Sequence, residues 1–184
     1  MRLLLIGCTG FIGKGLLPNL IKEGHEITLV SRKKKPELLN RFQDGCIHIQ
    51  LDPSLDESWS KASFLNALEE AEGVINLAGE PIADKRWTES HLQLIRNSRL
   101  KTTKNLINAI SSSKKRPKVL INGSAIGFYG TSLDKNFDEN SNAGKDFLAE
   151  LCQDWESLAK EKPQATRLVT LRIGIVLEKD GGAL

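Results

Sequence analysis

Short apolar stretches alternate along the chain with longer stretches in which apolar residues recur every three or four positions. The short stretches predict six strands: 3–6, 27–30, 46–51, 74–77, 119–122 and 168–173. The first is a continuous apolar run, which suits a sheet that is covered on both faces. The third is a weaker strand, because His48 and Gln50 alternate with its apolar residues. The longer stretches predict helices over 11–23, 61–71, 88–113 and 145–162. Gly24 is expected to end the first helix and Thr88 to cap the third.

The order of these elements predicts the fold class. Strands and helices alternate, and right-handed crossovers turn such a chain into a parallel sheet with helices on both faces. We therefore expect an α/β fold, a doubly wound Rossmann sheet, formed by a single domain over residues 1–184.

Composition and charge narrow the functional classes. The chain has 184 residues, of which 40% are apolar and 27% charged, with a net charge of +3. These values exclude a disordered chain, a collagen-like repeat and a disulfide scaffold, and the mild charge argues against nucleic acid or a membrane as partner. Cys8, Cys46 and Cys152 are far apart and show no metal-ligand spacing, so we expect reduced thiols, no metal site and a cytoplasmic location. The apolar run at the N-terminus is too short for a signal peptide or a membrane helix.

A glycine-rich loop joins the first strand to the first helix. Gly7, Gly10 and Gly13 follow the pattern G-x-x-G-x-x-G, which is typical of dinucleotide binding in this strand-to-helix context. Gly7 would allow the tight turn, Gly10 the approach of a pyrophosphate, and Gly13 close packing of the helix. The predicted phosphate site is the loop and first helical turn: Gly7, Thr9, Gly10, Phe11, Ile12 and Gly13. The alternative is a glycine-rich turn without a ligand.

The end of the second strand predicts which dinucleotide binds. An NAD-preferring domain usually carries an acid there, for the ribose 2′-hydroxyl, whereas this chain has Ser31 and Arg32. A guanidinium binds a 2′-phosphate through charged, forked hydrogen bonds, so the sequence favours NADP, with NAD as the alternative. The lysines of the basic run 33–35 are interpreted as a solvated turn.

Two further loops follow predicted strands, at the edge where doubly wound sheets bind ligands. Leu51 and Asp52 are expected near the adenine, and Leu77, Ala78 and Gly79 along a coenzyme ribose. Asn76 has two open interpretations, a structural side chain that ties loop to strand or a functional one.

Several segments carry a resemblance to a known family. The glycine loop, the run 76–79 and the run 124–130 together are similar to the extended short-chain dehydrogenase/reductase superfamily. The blocks 144–149 with 155–156, and 171–177 with 181–184, resemble an atypical branch labelled nucleoside-diphosphate-sugar epimerase-like or "cell division inhibitor". The resemblance implies an NAD(P)-binding Rossmann domain over 1–184, with the family's C-terminal substrate domain absent or truncated, and a possible homodimer by analogy.

The resemblance also implies a catalytic pair, which this chain lacks. The family typically uses a tyrosine and a lysine four positions later on one helix face, where the cation assists proton transfer by the phenol. Phe147 and Leu151 stand at about those positions. Ser124 matches the family serine and is a candidate to touch substrate or nicotinamide. Tyr129 is a candidate proton donor, with Lys145 or Arg99 as a nearby cation, although an aromatic packing over the coenzyme edge is the favoured interpretation.

Two functions remain open. The first is an NADP-dependent oxidoreductase or epimerase that acts on a small polar substrate, such as a sugar nucleotide. The second is an NADP-binding regulatory protein without turnover, in redox sensing or cell division control. The missing pair favours the second, and the coenzyme loop and Ser124 are common to both.

Overall fold

Six parallel strands form the central sheet of the computed structural model, which describes residues 1–34, 46–178 and 181–182. The strands are β1 (Arg2–Ile6), β2 (Glu26–Ser31), β3 (Cys46–Gln50), β4 (Gly73–Asn76), β5 (Val119–Ala125) and β6 (Arg167–Ile173). Their order is β3-β2-β1-β4-β5-β6, so the winding reverses between β1 and β4. This is the doubly wound Rossmann order, and the predicted fold class is confirmed. A short antiparallel pair, β7 (Leu177–Glu178) and β8 (Gly181–Gly182), follows the sheet.

In the described parts of the chain, four α-helices lie between the strands, each within two residues of its predicted bounds. They are α1 (Phe11–Lys22), α2 (Ala62–Glu70), α3 (Glu89–Ser112) and α4 (Phe147–Lys160). The described residues also contain 3₁₀ turns over Asp56–Ser60, before α2, and Ile126–Tyr129, after β5, which were not expected from the periodicity.

The predicted end of α1 at Gly24 and the predicted cap of α3 at Thr88 are both confirmed. Gly24 has a φ of +78° and donates its N–H to the Ile21 carbonyl at 2.9 Å, while the His25 N–H reaches the Leu20 carbonyl at 3.1 Å. These two bonds form a Schellman motif, which requires the left-handed residue after the helix. At the start of α3, the Thr88 hydroxyl accepts the His91 N–H at 3.3 Å, so its role as a cap is confirmed.

The core has one apolar cluster on each face of the sheet. Side chains alternate along β1, so Leu3 and Leu5 pack into the cluster beneath α1, while Leu4 and Ile6 join the cluster beneath α2 and α3. Helices therefore cover both faces, as predicted. This packing fixes all the carboxyl ends of the parallel strands at one edge, where the loops after β1, β2, β4 and β5 meet.

Two further properties concern the described residues alone. Within 1–34, 46–178 and 181–182, no helix combines the length and apolar character that crossing a bilayer requires. The same residues contain no cluster of three or more His, Cys, Asp or Glu side chains suited to a metal ion.

Candidate functional site

A cleft of about 210 Å³ opens where the strand order reverses, and we call it the glycine cleft. The loops after β1, β2, β3 and β4 form most of its wall, together with one side of α3. The wall contains eight residues singled out in the sequence: Gly7, Thr9, Gly10, Ser31, Arg32, Asp52, Ala78 and Gly79.

The structure gives a different account of each of the three glycines of the loop. Gly7 has a φ of +76°, and a Cβ there would overlap the backbone of Ala78 in the neighbouring loop. A Cβ on Gly13 would overlap the backbone of Cys8, so this glycine lets α1 pack closely on the loop. Gly10 differs, because its nearest neighbour for a Cβ is the Gly7 carbonyl oxygen at 3.7 Å, an ordinary contact. Packing within the described chain does not require Gly10 to be glycine, whereas a ligand at the backbone would.

The first turn of α1 begins directly after Gly10, the last residue of this loop that lines the cleft. Gly10 is the N-cap residue, and among the described residues no side chain caps this turn and no acid lies in it. The amides of Phe11, Ile12 and Gly13 lack carbonyl partners inside the helix, as the first N–H groups of any helix do. Together with the positive end of the helix dipole, they suit a phosphate or another anion.

The end of β2 supplies a hydroxyl and a cation. The Arg32 side chain is exposed and lines the cleft, and its backbone carbonyl accepts a hydrogen bond from Gln50 at 3.3 Å. Ser31 is buried, with its Oγ 2.9 Å from Nε2 of His48. Burial lowers the pKa of His48, which favours a neutral imidazole behind the serine. No acid stands at the position where a carboxylate would repel a 2′-phosphate.

The end of β4 and the loops after β3 and β4 contain both residues that line the cleft and residues that are buried in the core. Leu51 is only 1% exposed and belongs to the core, so its side chain lies outside the cleft, whereas Asp52 lines it. The Asp52 carboxylate accepts hydrogen bonds from the Ser54 N–H at 2.9 Å and hydroxyl at 2.7 Å. Asn76 is fully buried, bonds to Asn122 at 2.8 Å and accepts the Ala78 N–H at 3.2 Å. It ties loop to strand, which is the structural one of its two interpretations.

A second cavity of about 610 Å³ lies beside the glycine cleft, and we call it the apolar cavity. It is bounded by the first turn of α1, the ends of β5 and β6, and one face of α4. Predicted residues on its wall are Phe11, Ile12, Leu77, Ala78, Gly79 and Ser124. Arg99 is the one charged residue among the described residues that line it. The glycine cleft and the apolar cavity share Ala78, Gly79 and Pro81, so the two adjoin each other.

The face of α4 toward the apolar cavity carries Leu148, Leu151, Cys152 and Trp155. Phe147 instead packs edge-on against Trp87, with ring centroids 6.1 Å apart, and is not among the lining residues. Two pairs four positions apart therefore lie on this face, Leu148 with Cys152 and Leu151 with Trp155, whereas only Leu151 of the pair expected from sequence does. Burial raises the pKa of the Cys152 thiol, so it stays protonated. None of these pairs can transfer a proton as a tyrosine and a lysine would.

A buried polar network stands behind the cavity wall. Ser124, 3% exposed, donates its hydroxyl to Glu156 Oε1 at 2.7 Å. Arg172 binds both oxygens of the same carboxylate, Nε to Oε1 at 2.9 Å and Nη2 to Oε2 at 3.0 Å. Burial alone would raise the pKa of Glu156, but hydrogen bonds from Arg172 and Ser124 and the arginine charge outweigh it and hold the pKa below its ordinary value. Glu156 is therefore ionised and fixes Ser124 in one orientation.

Tyr129 belongs to the outer side of this network. Its ring stacks on Phe137 with centroids 5.2 Å apart, and its hydroxyl accepts a hydrogen bond from Arg172 Nη1 at 2.9 Å. The apolar cavity is lined by Ile126, Gly127 and Gly130 of this segment, and Tyr129 is not among the lining residues. The cation on the phenol is Arg172, where the sequence suggested Lys145 or Arg99. Tyr129 thus packs against Phe137 and Arg172 of the protein itself, and both of its interpretations from sequence, a proton donor and an aromatic over the coenzyme edge, stay predictions.

Sequence reasoning assigned no role to Glu156 or Arg172. Register explains their meeting, because Ser124 and Arg172 are paired on adjacent strands and extend to the face that α4 covers. One signal was available, since Glu156 lies one turn after Cys152 on the apolar face of α4. An acid on such a face usually has a buried partner.

The strand order, with a glycine loop at the reversal point, defines a Rossmann-type domain. The family model described as "NAD dependent epimerase/dehydratase family" matches residues 3–165, so the chain belongs to that family.

Known relatives cover the whole chain but are longer. The chain is 38% identical over 189 residues to "Epimerase family protein SDR39U1 homolog, chloroplastic" of Arabidopsis thaliana, covering 100% of this chain and 51% of that protein. Human epimerase family protein SDR39U1 (isoform 2), solved with NADPH, is 34% identical with a TM-score of 0.78, covering 100% of this chain and 57% of that one. The nucleoside-diphosphate sugar epimerase from Corynebacterium glutamicum is 31% identical with a TM-score of 0.78, covering 100% and 36%. The chain thus spans about half the length of the curated relatives it matches.

Proposed function

We propose that this domain binds NADP(H) in the glycine cleft, as the coenzyme domain of an atypical short-chain oxidoreductase or sugar-nucleotide epimerase. The observation that carries the proposal is the open space at Gly10, beside the uncapped first turn of α1. A methyl group would fill this space, and the amides around it suit a diphosphate. The human relative solved with NADPH supports the same coenzyme.

Preference for the phosphorylated coenzyme rests on Arg32. Its guanidinium is exposed at the cleft, and β2 ends without an acid. The 2′-phosphate of NADP would gain charge-assisted hydrogen bonds there, worth about 1.5–3 kcal/mol, which NAD cannot form.

Bound coenzyme would supply hydride transfer, and the apolar cavity would hold the substrate beside it. Ser124 is the candidate to touch substrate or nicotinamide, held by Glu156, and Tyr129 the candidate proton donor, held by Arg172. A small polar substrate such as a sugar nucleotide is supported by the name of the Corynebacterium glutamicum relative.

A regulatory NADP-binding protein without turnover, in redox sensing or cell division control, is the second candidate. It is favoured by the leucine and cysteine on the α4 face, where the family's acid–base pair would stand. A cytoplasmic location, a C-terminal substrate domain and a homodimer stay predictions; the three thiols, which are free in the described residues, fit the first.

The test is calorimetric titration of NADPH and NADH into three proteins: the wild type, Arg32→Gln and Lys34→Gln. Lys34 is exposed on the same loop but does not line the cleft. We expect Arg32→Gln to weaken NADPH about 10- to 150-fold and leave NADH unchanged, because only the phosphate contact is lost. Lys34→Gln should match the wild type. Equal affinities of the wild type for the two coenzymes, unchanged in Arg32→Gln, would refute the assignment.

Turnover separates the two candidates. NADPH oxidation with a panel of carbonyl compounds and sugar nucleotides, lost in Ser124→Ala, supports the enzyme. Tight NADPH binding without turnover on any compound supports the regulatory protein.

A further inference from the structure

Arg99 is a partly buried cation without a counter-ion in the described part of the chain. It lies on α3, and none of the ion pairs among residues 1–34, 46–178 and 181–182 includes it. Its Nη1 donates to the carbonyls of Glu80 at 3.0 Å and Ile95 at 3.1 Å. The carboxylate of Glu80, whose carbonyl Arg99 binds, lies 3.4 Å from Lys85 Nζ. A charge in this position is costly unless something compensates it.

The compensation inside the protein is incomplete. The guanidinium carbon lies 5.4 Å from the centre of the Trp155 ring, a weak cation–π contact. Burial lowers the pKa of Arg99, which reflects the loss of water around it. A guanidinium has five N–H donors, and those on Nε and Nη2 have no acceptor among the described residues.

The backbone leaves room for this guanidinium beside the site. A Cβ on Gly79 would lie 2.9 Å from Arg99 Cζ and 3.0 Å from Nη2, so a glycine lets the cation rest against the loop after β4. Gly79 lines both the glycine cleft and the apolar cavity. Arg99 therefore lies at their junction and is the single charged side chain among the described residues of a mainly apolar wall.

We infer that Arg99 is an anion-binding residue of the apolar cavity, and that the molecule taken up there carries a carboxylate or phosphate group. This inference rests on the proposed function, since it assigns a substrate property to the cavity beside the coenzyme. The planar fork of Nε and Nη2 matches two oxygens of such a group. The anion has two sources, the diphosphate of the coenzyme or a group of the substrate.

The experiment follows the Nε–H resonance of Arg99 by NMR while inorganic phosphate and, separately, oxalate are added, with and without saturating NADPH. Variants are Arg99→Gln, Arg99→Lys and the control Arg96→Gln. Arg96 lies one turn earlier on α3 and pairs with Asp154 outside the cavity. The Arg99 resonance of the Arg96→Gln protein should respond as in the wild type. Thermal unfolding checks that each variant is folded.

A saturable shift of the Arg99 resonance on the NADPH-saturated protein assigns the anion to the substrate. Loss of at least tenfold in NADPH affinity in Arg99→Gln, partly restored in Arg99→Lys, assigns it to the coenzyme. The inference is overturned if the resonance ignores both anions and Arg99→Gln binds NADPH as the wild type does. Failure of the proposed function gives a different result: the wild type would not bind NADPH at all, whether or not phosphate or oxalate shifts the Arg99 resonance.

Discussion

Replacing single glycines of the loop by alanine separates ligand binding from folding. Gly10→Ala adds one methyl group to a residue with φ −76° and ψ −172°, values that alanine adopts readily. The nearest protein atom to the new methyl is 3.7 Å away, so the free protein accommodates it. Alanine is a poorer N-cap than glycine, and we expect the free energy of unfolding to fall by no more than about 1 kcal/mol.

Coenzyme binding should respond much more strongly to Gly10→Ala. In the proposed site, the methyl would take space that the diphosphate needs and would hold it away from the amides of the first turn of α1. Loss of one charge-assisted hydrogen bond costs about 1.5–3 kcal/mol, so NADPH affinity should fall about 10- to 150-fold. Calorimetric titration measures the affinity, and urea unfolding measures the stability.

Two other glycines provide matched controls. Gly15 is exposed within α1 with nothing within 4 Å of an added Cβ, so Gly15→Ala should keep coenzyme affinity and stabilise the helix by up to about 1 kcal/mol. Gly13→Ala forces its Cβ onto the Cys8 backbone and should destabilise the domain. Wild-type NADPH affinity in Gly10→Ala would refute the idea that this glycine exists for the ligand.

Two predictions concern stability. Glu156→Gln leaves Arg172 without its carboxylate and should lower the free energy of unfolding by about 3 kcal/mol at neutral pH. The pKa of Glu156 is lower in the folded state than its ordinary value of 4.5, so the stabilisation is present above pH 4.5 and is lost as the pH falls through the folded-state pKa. In urea unfolding, the free energies of wild type and variant should therefore converge in acid. A difference that does not depend on pH would contradict this. Thr88→Ala removes the cap of α3 and should cost about 1 kcal/mol in thermal unfolding, whereas Thr88→Ser retains the hydroxyl; equal losses in both would argue against capping.

Local sequence patterns predicted most of the fold, because the signals involved act over a few residues. The apolar run of β1 and the spacing of apolar residues in α1 directly indicate which residues are buried, and Gly24 indicates the left-handed residue that ends the helix. The glycine loop was interpretable for the same reason, since its conformational demands are local. The 3₁₀ turn over Asp56–Ser60 has no such periodic signal and was not expected.

The residues of the site were harder to predict where the direction of a side chain, or its pairing with a residue distant in sequence, determines whether it lines a cleft. Leu51 and Asp52 are neighbours in sequence, yet one points into the core and the other lines the cleft. A shift of one residue on α4 likewise places Leu148 on the cavity wall and Phe147 against Trp87. Such one-residue differences follow from tertiary packing, which pattern alone does not fix.

The contact between Arg172 and Glu156 shows the limit most clearly. It joins residues 16 positions apart, and it forms because the register of β5 and β6 places Arg172 beside Ser124 and because α4, which carries Glu156, packs over both. Strand register depends on the buried pattern of the whole sheet. The sequence shows that Arg172 and Glu156 are charged, but it does not show that the two side chains are in contact.

The most direct test of the coenzyme site is a titration of the ¹⁵N-labelled protein with NADPH, followed by NMR. We predict saturable shifts in the amides of Gly10, Phe11, Ile12 and Gly13, accompanied by the side-chain Nε–H of Arg32, because these groups would hold the diphosphate and the 2′-phosphate. Unchanged resonances for the first turn of α1 at saturating NADPH, or shifts confined to other parts of the chain, would contradict the proposed site.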